Sequence, residues 1–437
     1  MQKVQNAAII RGMKIKAFFV SALFLLLAAS FSQTAHVRFK MDSDLNPQFF
    51  SEPVIPAQEF AEAALTASGA GQEKRRLLMQ RLDALWQSLS ARLEKSGAPE
   101  ENAEKILSFM YEKILSKYNF DQTRLDQALE SGVYNCVSSA VLFMHFSKRA
   151  GIPVLAVETP RHAFCVIFDG EKKIDVETTN PYGVNPGKKR TTDLGSGRTK
   201  YITVPAKDYA GRHQVDDRRA IGMIYNNRIV QLQKKKLDAQ TVGLAVDSYF
   251  VQGKSQVSKN DLELCVSNAA ANLSNAGKEL EAINLLESAE KEFGQSQRWT
   301  KSIFNCRRNH VLKLVKELPF EEGLSAAKEN REKLLPADYA ELKEYAWLLG
   351  AQKAGEKMDW PLAVQIAERG LKDFPQSKKL LNCRNIFTNN YAADFHNAAA
   401  DLFNSGKKGE AVEKIKEGLK VLPQNKILLS DLDRMSR

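Results

Sequence analysis

The stretch Gly132-Val-Tyr-Asn-Cys136-Val-Ser-Ser-Ala-Val-Leu-Phe-Met-His-Phe-Ser-Lys-Arg-Ala150-Gly-Ile-Pro153 decides how the chain is read. Val137, Val141, Met144 and Lys148 recur at helical spacing, Gly151 stands where a C-terminal cap belongs, and Pro153 forbids continuation. The spacing predicts a helix that Cys136 opens. At a helix's first turn the unpaired N–H groups and the positive end of the dipole favour a thiolate, an advantage that a mid-helix cysteine lacks.

Residues 154–159 form a short apolar run, and 162–168 form a second at strand-like density. Asp169-Gly170 is a hairpin turn signal. With those two residues as the loop, Phe168 pairs with Glu171 and His162 falls opposite Glu177, with Asp175 on the same face one diagonal step away. Either carboxylate can orient the imidazole, and a longer loop would change the register. Cys136, His162 and an acid on the next strand are what thiol catalysis needs to converge: nucleophile, base and orienting group.

Gly132-Val-Tyr-Asn-Cys136, the helix ending Arg149-Ala-Gly-Ile-Pro153, Pro160-Arg-His162 and Ile174-Asp175 together resemble the transglutaminase-like superfamily of papain-type thiol enzymes, over roughly residues 100–187. The resemblance implies an α+β domain, prefers Asp175 over Glu177 as the third member, and implies a Cys136 N–H in an oxyanion hole. Such a role suits a helix N-terminus. Asn135 is a further, weaker candidate for an oxyanion helper. Glu158, Asn180, Tyr182 and Asn185 are candidates for a polar substrate cleft, although Asn180-Pro-Tyr-Gly183 and Asn185-Pro-Gly187 also read as turns. Cys165 lies three residues beyond His162, on the opposite strand face, and reads as core. His145 reads as a packed helix residue. No Cys/His spacing suggests zinc, so neither a metal nor a cofactor is expected.

The first 32 residues read as a signal peptide: Arg11, Lys14 and Lys16 precede an apolar run over 17–30, with Ser30-Phe-Ser32 suited to cleavage. The run is shorter than the roughly 20 residues a spanning helix needs, so no stable membrane span is expected after its removal, an uncleaved signal anchor being the alternative. Export to a periplasmic or extracellular space follows. No cysteine closely follows the run, which argues against a bacterial lipoprotein anchor. Removing Lys3, Arg11, Lys14 and Lys16 takes the net charge from +11 to +7 (11 − 4). The basic triplets beginning at Lys74, Lys188 and Lys234 are scattered and lack interleaved aromatics, so nucleic acid is not an expected partner. Five cysteines leave at least one thiol unpaired, a place that Cys136 fills.

Residues 33–96 read as a helical lead-in, and 97–210 as the transglutaminase-like domain. Residues 217–437 read as an all-α tetratricopeptide-like solenoid, making the chain mostly helical overall. There Ala282, Ala363 and Ala411 are each followed seven residues later by Ala289, Gly370 and Gly418, with Pro375 and Pro423 beyond the last two. Weaker units span 221–251 and 309–336. Trp299, Trp347 and Trp360 read as helix-packing residues. Helix pairs of this kind must stack to bury their apolar faces, and the surface they create suits a protein or peptide partner.

Two functions are therefore expected. The first is an exported, cysteine protease-like hydrolase or acyltransferase that acts on protein or peptide amides, by hydrolysis, deamidation or transfer to an amine, through Cys136, His162 and Asp175. The alternative is an inactive relative that serves as an interaction scaffold.

Overall fold

The computed structural model describes residues 54–95, 97–186 and 209–437, with 39–41, 45, 49 and the backbone of 192–193 and 199–200. The expected signal peptide and the basic run 188–190 lie outside the described residues. The protein is mostly helical, with a small sheet region. It divides into two compact units, Met1–Asn272 with Leu285–Trp299, and Leu273–Asn284 with Thr300–Arg437.

In the first unit, α1 (Ala57–Ala67), α2 (Gln72–Ser90) and α3 (Pro99–Lys113) lead into a parallel pair, β1 (Lys117–Tyr118) with β2 (Val133–Tyr134), separated by α4 (Leu125–Ser131). The cysteine helix, α5 (Cys136–Arg149), follows. Next come β3 (Val154–Glu158), β4 (Ala163–Asp169) and β5 (Lys172–Val176). A short pair, β6 (Thr192–Asp193) with β7 (Thr199–Lys200), precedes β8 (His213–Val215), and β5-β4-β3-β8 form an antiparallel sheet. Helices α6 (Asp217–Lys234), α7 (Asp238–Val251), α8 (Gln256–Asn275) and α9 (Glu279–Phe293) come after it.

Helix α5 is buried on nearly every side, because its apolar residues are not confined to one stripe. Its Ala140, Phe143 and Phe146 share one core with Phe60 and Ala64 of α1, Ile106 and Met110 of α3, Cys165 and Ile167 of β4, and Ile221 and Ile224 of α6. The core around Cys136 therefore reaches beyond residues 97–210. Residues of α1 and α2, from the stretch read as a lead-in, and of α6 with Val251 of α7, from the stretch read as repeats, belong to it. A helix without an exposed face needs partners all around it, more than residues 97–210 supply. Val157, Phe164 and Val166 cover the opposite face of the sheet with Tyr209.

The hairpin register also differs from expectation. Asp169 pairs with Lys172, so the loop is Gly170-Glu171 and Asp175 falls opposite Val166. Gly170 has φ +60°, and a two-residue turn with glycine at its first central position matches the twist of the flanking strands.

Helix α10 (Gln297–Glu317) begins in the first unit and continues in the second from Thr300, where α11 (Phe320–Glu329), a 3-10 turn (Arg331–Lys333), α12 (Pro336–Glu356), α13 (Trp360–Asp373), α14 (Lys378–Asn404), α15 (Lys408–Val421) and α16 (Lys426–Ser436) run in succession. From α12 onward each helix packs on the next. Close packing explains the small residues. A Cβ on Gly370 would lie 2.9 Å from Trp347 Cβ, and one on Gly418 would lie 2.8 Å from Phe395 Cγ. Ala363 and Ala411 are fully buried. The Trp347 indole donates to Asp373 at 2.8 Å, and that of Trp360 to Asp394 at 2.8 Å. In the first unit, buried Trp299 donates to the Glu263 carbonyl at 3.1 Å. Among the described residues no helix is long and apolar enough to cross a membrane.

Candidate active site

Cys136 is the first residue of α5, and the residue before it fixes its position. The Asn135 carboxamide oxygen accepts from the Val137 and Ser138 N–H groups at 3.0 Å each, while Ser138 Oγ accepts from the Asn135 N–H at 2.9 Å. This reciprocal capping box satisfies the first turn. Among the described residues nothing accepts from the Cys136 N–H, which remains available at the positive end of α5. Asn135 Nδ2 donates to the Phe120 carbonyl at 3.2 Å, so both ends of the expected oxyanion helper are engaged in structure. Cys136 is buried, 7% exposed.

A turn anchors His162. Its N–H donates to Thr159 Oγ1 at 2.9 Å, and its carbonyl accepts from the Thr159 N–H at 2.9 Å. The ring stacks on Phe164, with centroids 6.2 Å apart. Its Nε2 lies 2.7 Å from Glu177 Oε2, which leaves Nδ1 for the hydrogen bond to Cys136. Burial alone would lower the imidazole pKa. The bonds to Cys136 and Glu177, with their negative charge, outweigh it and push the value up from 6.5 to about 10.

Of the two carboxylates the sequence offers, it is Glu177, and not the Asp175 that the resemblance prefers, that meets His162. Asp175 forms a bidentate pair with Arg212 at 2.6 and 2.8 Å, and its register position opposite Val166 carries it away from His162. Glu177, only 2% exposed, lies just past the end of β5. Its Oε1 accepts from the Thr179 hydroxyl at 2.6 Å and the Thr179 N–H at 3.1 Å. The Asn180 and Tyr182 expected at a substrate cleft instead build the turn behind this carboxylate. Asn180 Oδ1 accepts from the Tyr182 N–H at 3.0 Å, and the Gly183 carbonyl accepts from the Glu177 N–H at 2.8 Å. The turn is so close that a Cβ on Gly183 would lie 2.0 Å from the Glu177 carbonyl oxygen. Asn185 Nδ2 is engaged with Glu100 at 2.6 Å.

Cys136 and His162 open into a cleft of about 220 Å³. One wall is α6, whose Met223, Asn226, Asn227, Val230, Gln231 and Lys234 recur at helical spacing. Glu158 also lines the cleft, held by Arg219 at 2.8 and 2.9 Å. Tyr118 reaches Cys136 with its hydroxyl, and burial first, then the charges of Cys136 and Glu177, raise that phenol's pKa. The sequence reading missed Tyr118 and the α6 wall. Tyr118 arrives through a two-residue parallel pairing with no local signature, and the α6 positions read equally well as a repeat helix.

The remaining thiols are different. All five cysteines are free and buried, and Cys165 Sγ donates to the Ala140 carbonyl at 3.5 Å with its pKa pushed well up by burial. His145 is also buried. Its Nδ1 meets the Ala57 carbonyl at 2.9 Å, and burial lowers its pKa to about 4. Among the described residues no cluster of three or more His, Cys, Asp or Glu is placed to hold a metal ion.

This arrangement can in principle support acyl transfer. A thiolate at a helix start attacks a carbonyl, the imidazolium donates a proton to the leaving amine, and the buried carboxylate holds the ring in orientation. A scan against protein-family models finds no match, and a search of curated proteins finds no similar sequence. Among solved structures, a crystal structure of menin that reveals the binding site for mixed lineage leukemia (MLL) protein is similar over 79% of this chain and 80% of that chain, at 12% identity and a TM-score of 0.32.

Proposed function

We propose that the protein is an exported thiol enzyme of transglutaminase-like type, acting on amide bonds of a protein or peptide through Cys136, His162 and Glu177. The observation that carries the reading is the convergence of three residues from separate elements. The cysteine heads a buried helix, the histidine precedes a strand, and the carboxylate faces the ring at 2.7 Å. Attack by Cys136 forms a thioester and releases an amine protonated by His162. Water or a second amine then resolves the thioester. The Cys136 N–H is oriented to receive the developing oxyanion. The helical second unit, read as tetratricopeptide-like repeats, recruits the substrate or a protein partner.

A second reading, an inactive scaffold, draws support from the 7% exposure of Cys136 beneath Tyr118. One assay separates the two. The purified protein and its Cys136→Ala variant are incubated with a peptide library, with and without a primary amine, and the products are identified by mass spectrometry. Cleaved or deamidated peptides, or amine conjugates, formed only by the wild type support the enzyme. An absence of products, together with Cys136 alkylation no faster than that of a free model thiol, refutes it.

A further inference from the structure

Behind the Glu177–His162 pair, on the sheet face away from α5, stands a second layer that the catalytic reading does not use. Tyr209 packs edge-on against Phe164 with ring centroids 4.7 Å apart, and Phe164 in turn stacks on His162. Arg212 lies over both rings, 5.0 Å from the Phe164 centroid and 5.8 Å from that of Tyr209, while Asp175 holds its guanidinium in two hydrogen bonds. Two unmatched groups meet here. The Tyr209 hydroxyl is buried without a hydrogen-bond partner, a costly state for a donor. Glu177 Oε1 takes two donors from Thr179, but Oε2 takes only His162 and keeps a lone pair open. Tyr209 reaches the pair through Phe164, which stacks on His162 beside Glu177, and after burial the Glu177 charge does most to raise the Tyr209 phenol's pKa.

The geometry points to Tyr209 and Arg212 as positioning residues of the Glu177–His162 pair: Tyr209 closes onto the open side of the carboxylate, and Arg212, pinned by Asp175, holds Tyr209 and Phe164 against the sheet. This inference rests on the reading of Cys136 as a catalytic thiol. It also gives Asp175 a function, at one remove from the imidazole. The groups that face the pair from the other elements are Cys136 of α5, Tyr111 of α3, Tyr118 of β1 and Tyr134 of β2, while Glu158 is neutralised by Arg219.

The test is the pH profile of Cys136 alkylation by iodoacetamide in the folded full chain, read by peptide mass spectrometry from pH 5 to 9. Wild type, Tyr209→Phe and Arg212→Gln are compared, with thermal unfolding measured in parallel. Both variants are expected to lose about tenfold to a hundredfold in alkylation rate at pH 6, the loss of one hydrogen bond to a charged group, and to match wild type at pH 9. A merely structural role would lower the unfolding temperature without changing the shape of the profile, and that result overturns the inference. Should Arg212→Gln fail to fold, Tyr209→Phe, which preserves the ring, decides alone. A wild-type profile equal to that of a free thiol sinks the catalytic reading and this inference together. A shifted wild-type profile that both variants retain sinks this inference only.

Discussion

Replacing Glu177 with Gln removes one charge and almost nothing else, since the carboxamide matches the carboxylate in size and keeps an oxygen for the ring N–H. In the wild type the carboxylate lies 2.7 Å from Nε2, and the imidazole pKa stands at about 10 against an ordinary 6.5, even though burial pulls it down. An opposite charge at such a distance is worth about one to three pH units, or about 1.4 to 4 kcal/mol. Glu177→Gln should therefore lower the His162 midpoint by about one to three pH units. The assay is an NMR titration of the histidine ring protons in carbon-13-labelled protein, with His162 assigned by loss of its signal in His162→Gln. Asp175→Asn keeps the oxygen that Arg212 binds and should move the midpoint by about half a pH unit at most. The sign of the stability effect follows. A folded-state pKa raised above 6.5 stabilises fully below pH 6.5, and the contribution is lost as pH rises through about 10. Wild type should thus lose stability across that window, and Glu177→Gln should lose less. An unmoved midpoint in Glu177→Gln, or an equal fall in Asp175→Asn, refutes the assignment of the orienting carboxylate.

Glu177→Asp keeps the charge but withdraws it by about 1.5 Å, and turnover of a peptide amide found in the library assay should fall by about 100-fold, measured as kcat. His145, buried with its pKa lowered to about 4, stabilises the fold above pH 6.5 and loses that contribution as pH falls toward 4. Urea unfolding of His145→Gln should accordingly show a shallower loss of stability between pH 6.5 and 4 than wild type, and equal slopes would contradict the buried neutral ring. Gly370→Ala forces a Cβ within 2.9 Å of Trp347 and should cost about 1 to 3 kcal/mol, whereas Gly409→Ala meets nothing within 4 Å and should be neutral or stabilising by up to about 1 kcal/mol. Thermal unfolding of the two variants checks the pair.

What the sequence disclosed, it disclosed through local chemistry. Helix α5 was legible because Val137, Val141, Met144 and Lys148 recur at helical spacing and Gly151 and Pro153 mark its end, and the glycines and alanines of α13 and α15 were legible because helix crossings leave no room for larger side chains. Contacts made at long range were not. Nothing in residues 57–67 announces that α1 packs on α5, since a short alanine-rich helix suits a lead-in as well as a core. Likewise the apolar residues of α6 fit a repeat helix as readily as the wall of a cleft, and only the positions of its partners distinguish the two.

The choice of carboxylate shows how a small local fact propagates. With Asp169-Gly170 as the loop, Asp175 would stand opposite Phe164, close to His162. With Gly170-Glu171 as the loop, each pair moves and Asp175 meets Val166. The positive φ of Gly170 places the glycine first in the turn, and so sends Asp175 to Arg212. Glu177 then approaches the imidazole from a turn beyond the strand, and that position must be stiffened by other means. Thr179 supplies two donors to one carboxylate oxygen, and Gly183 permits a backbone approach that any side chain would block. A strand would have oriented an aspartate through its ladder. A glutamate on a turn has one more rotatable bond to restrain, which is why this site surrounds its carboxylate with Thr179 and Tyr209.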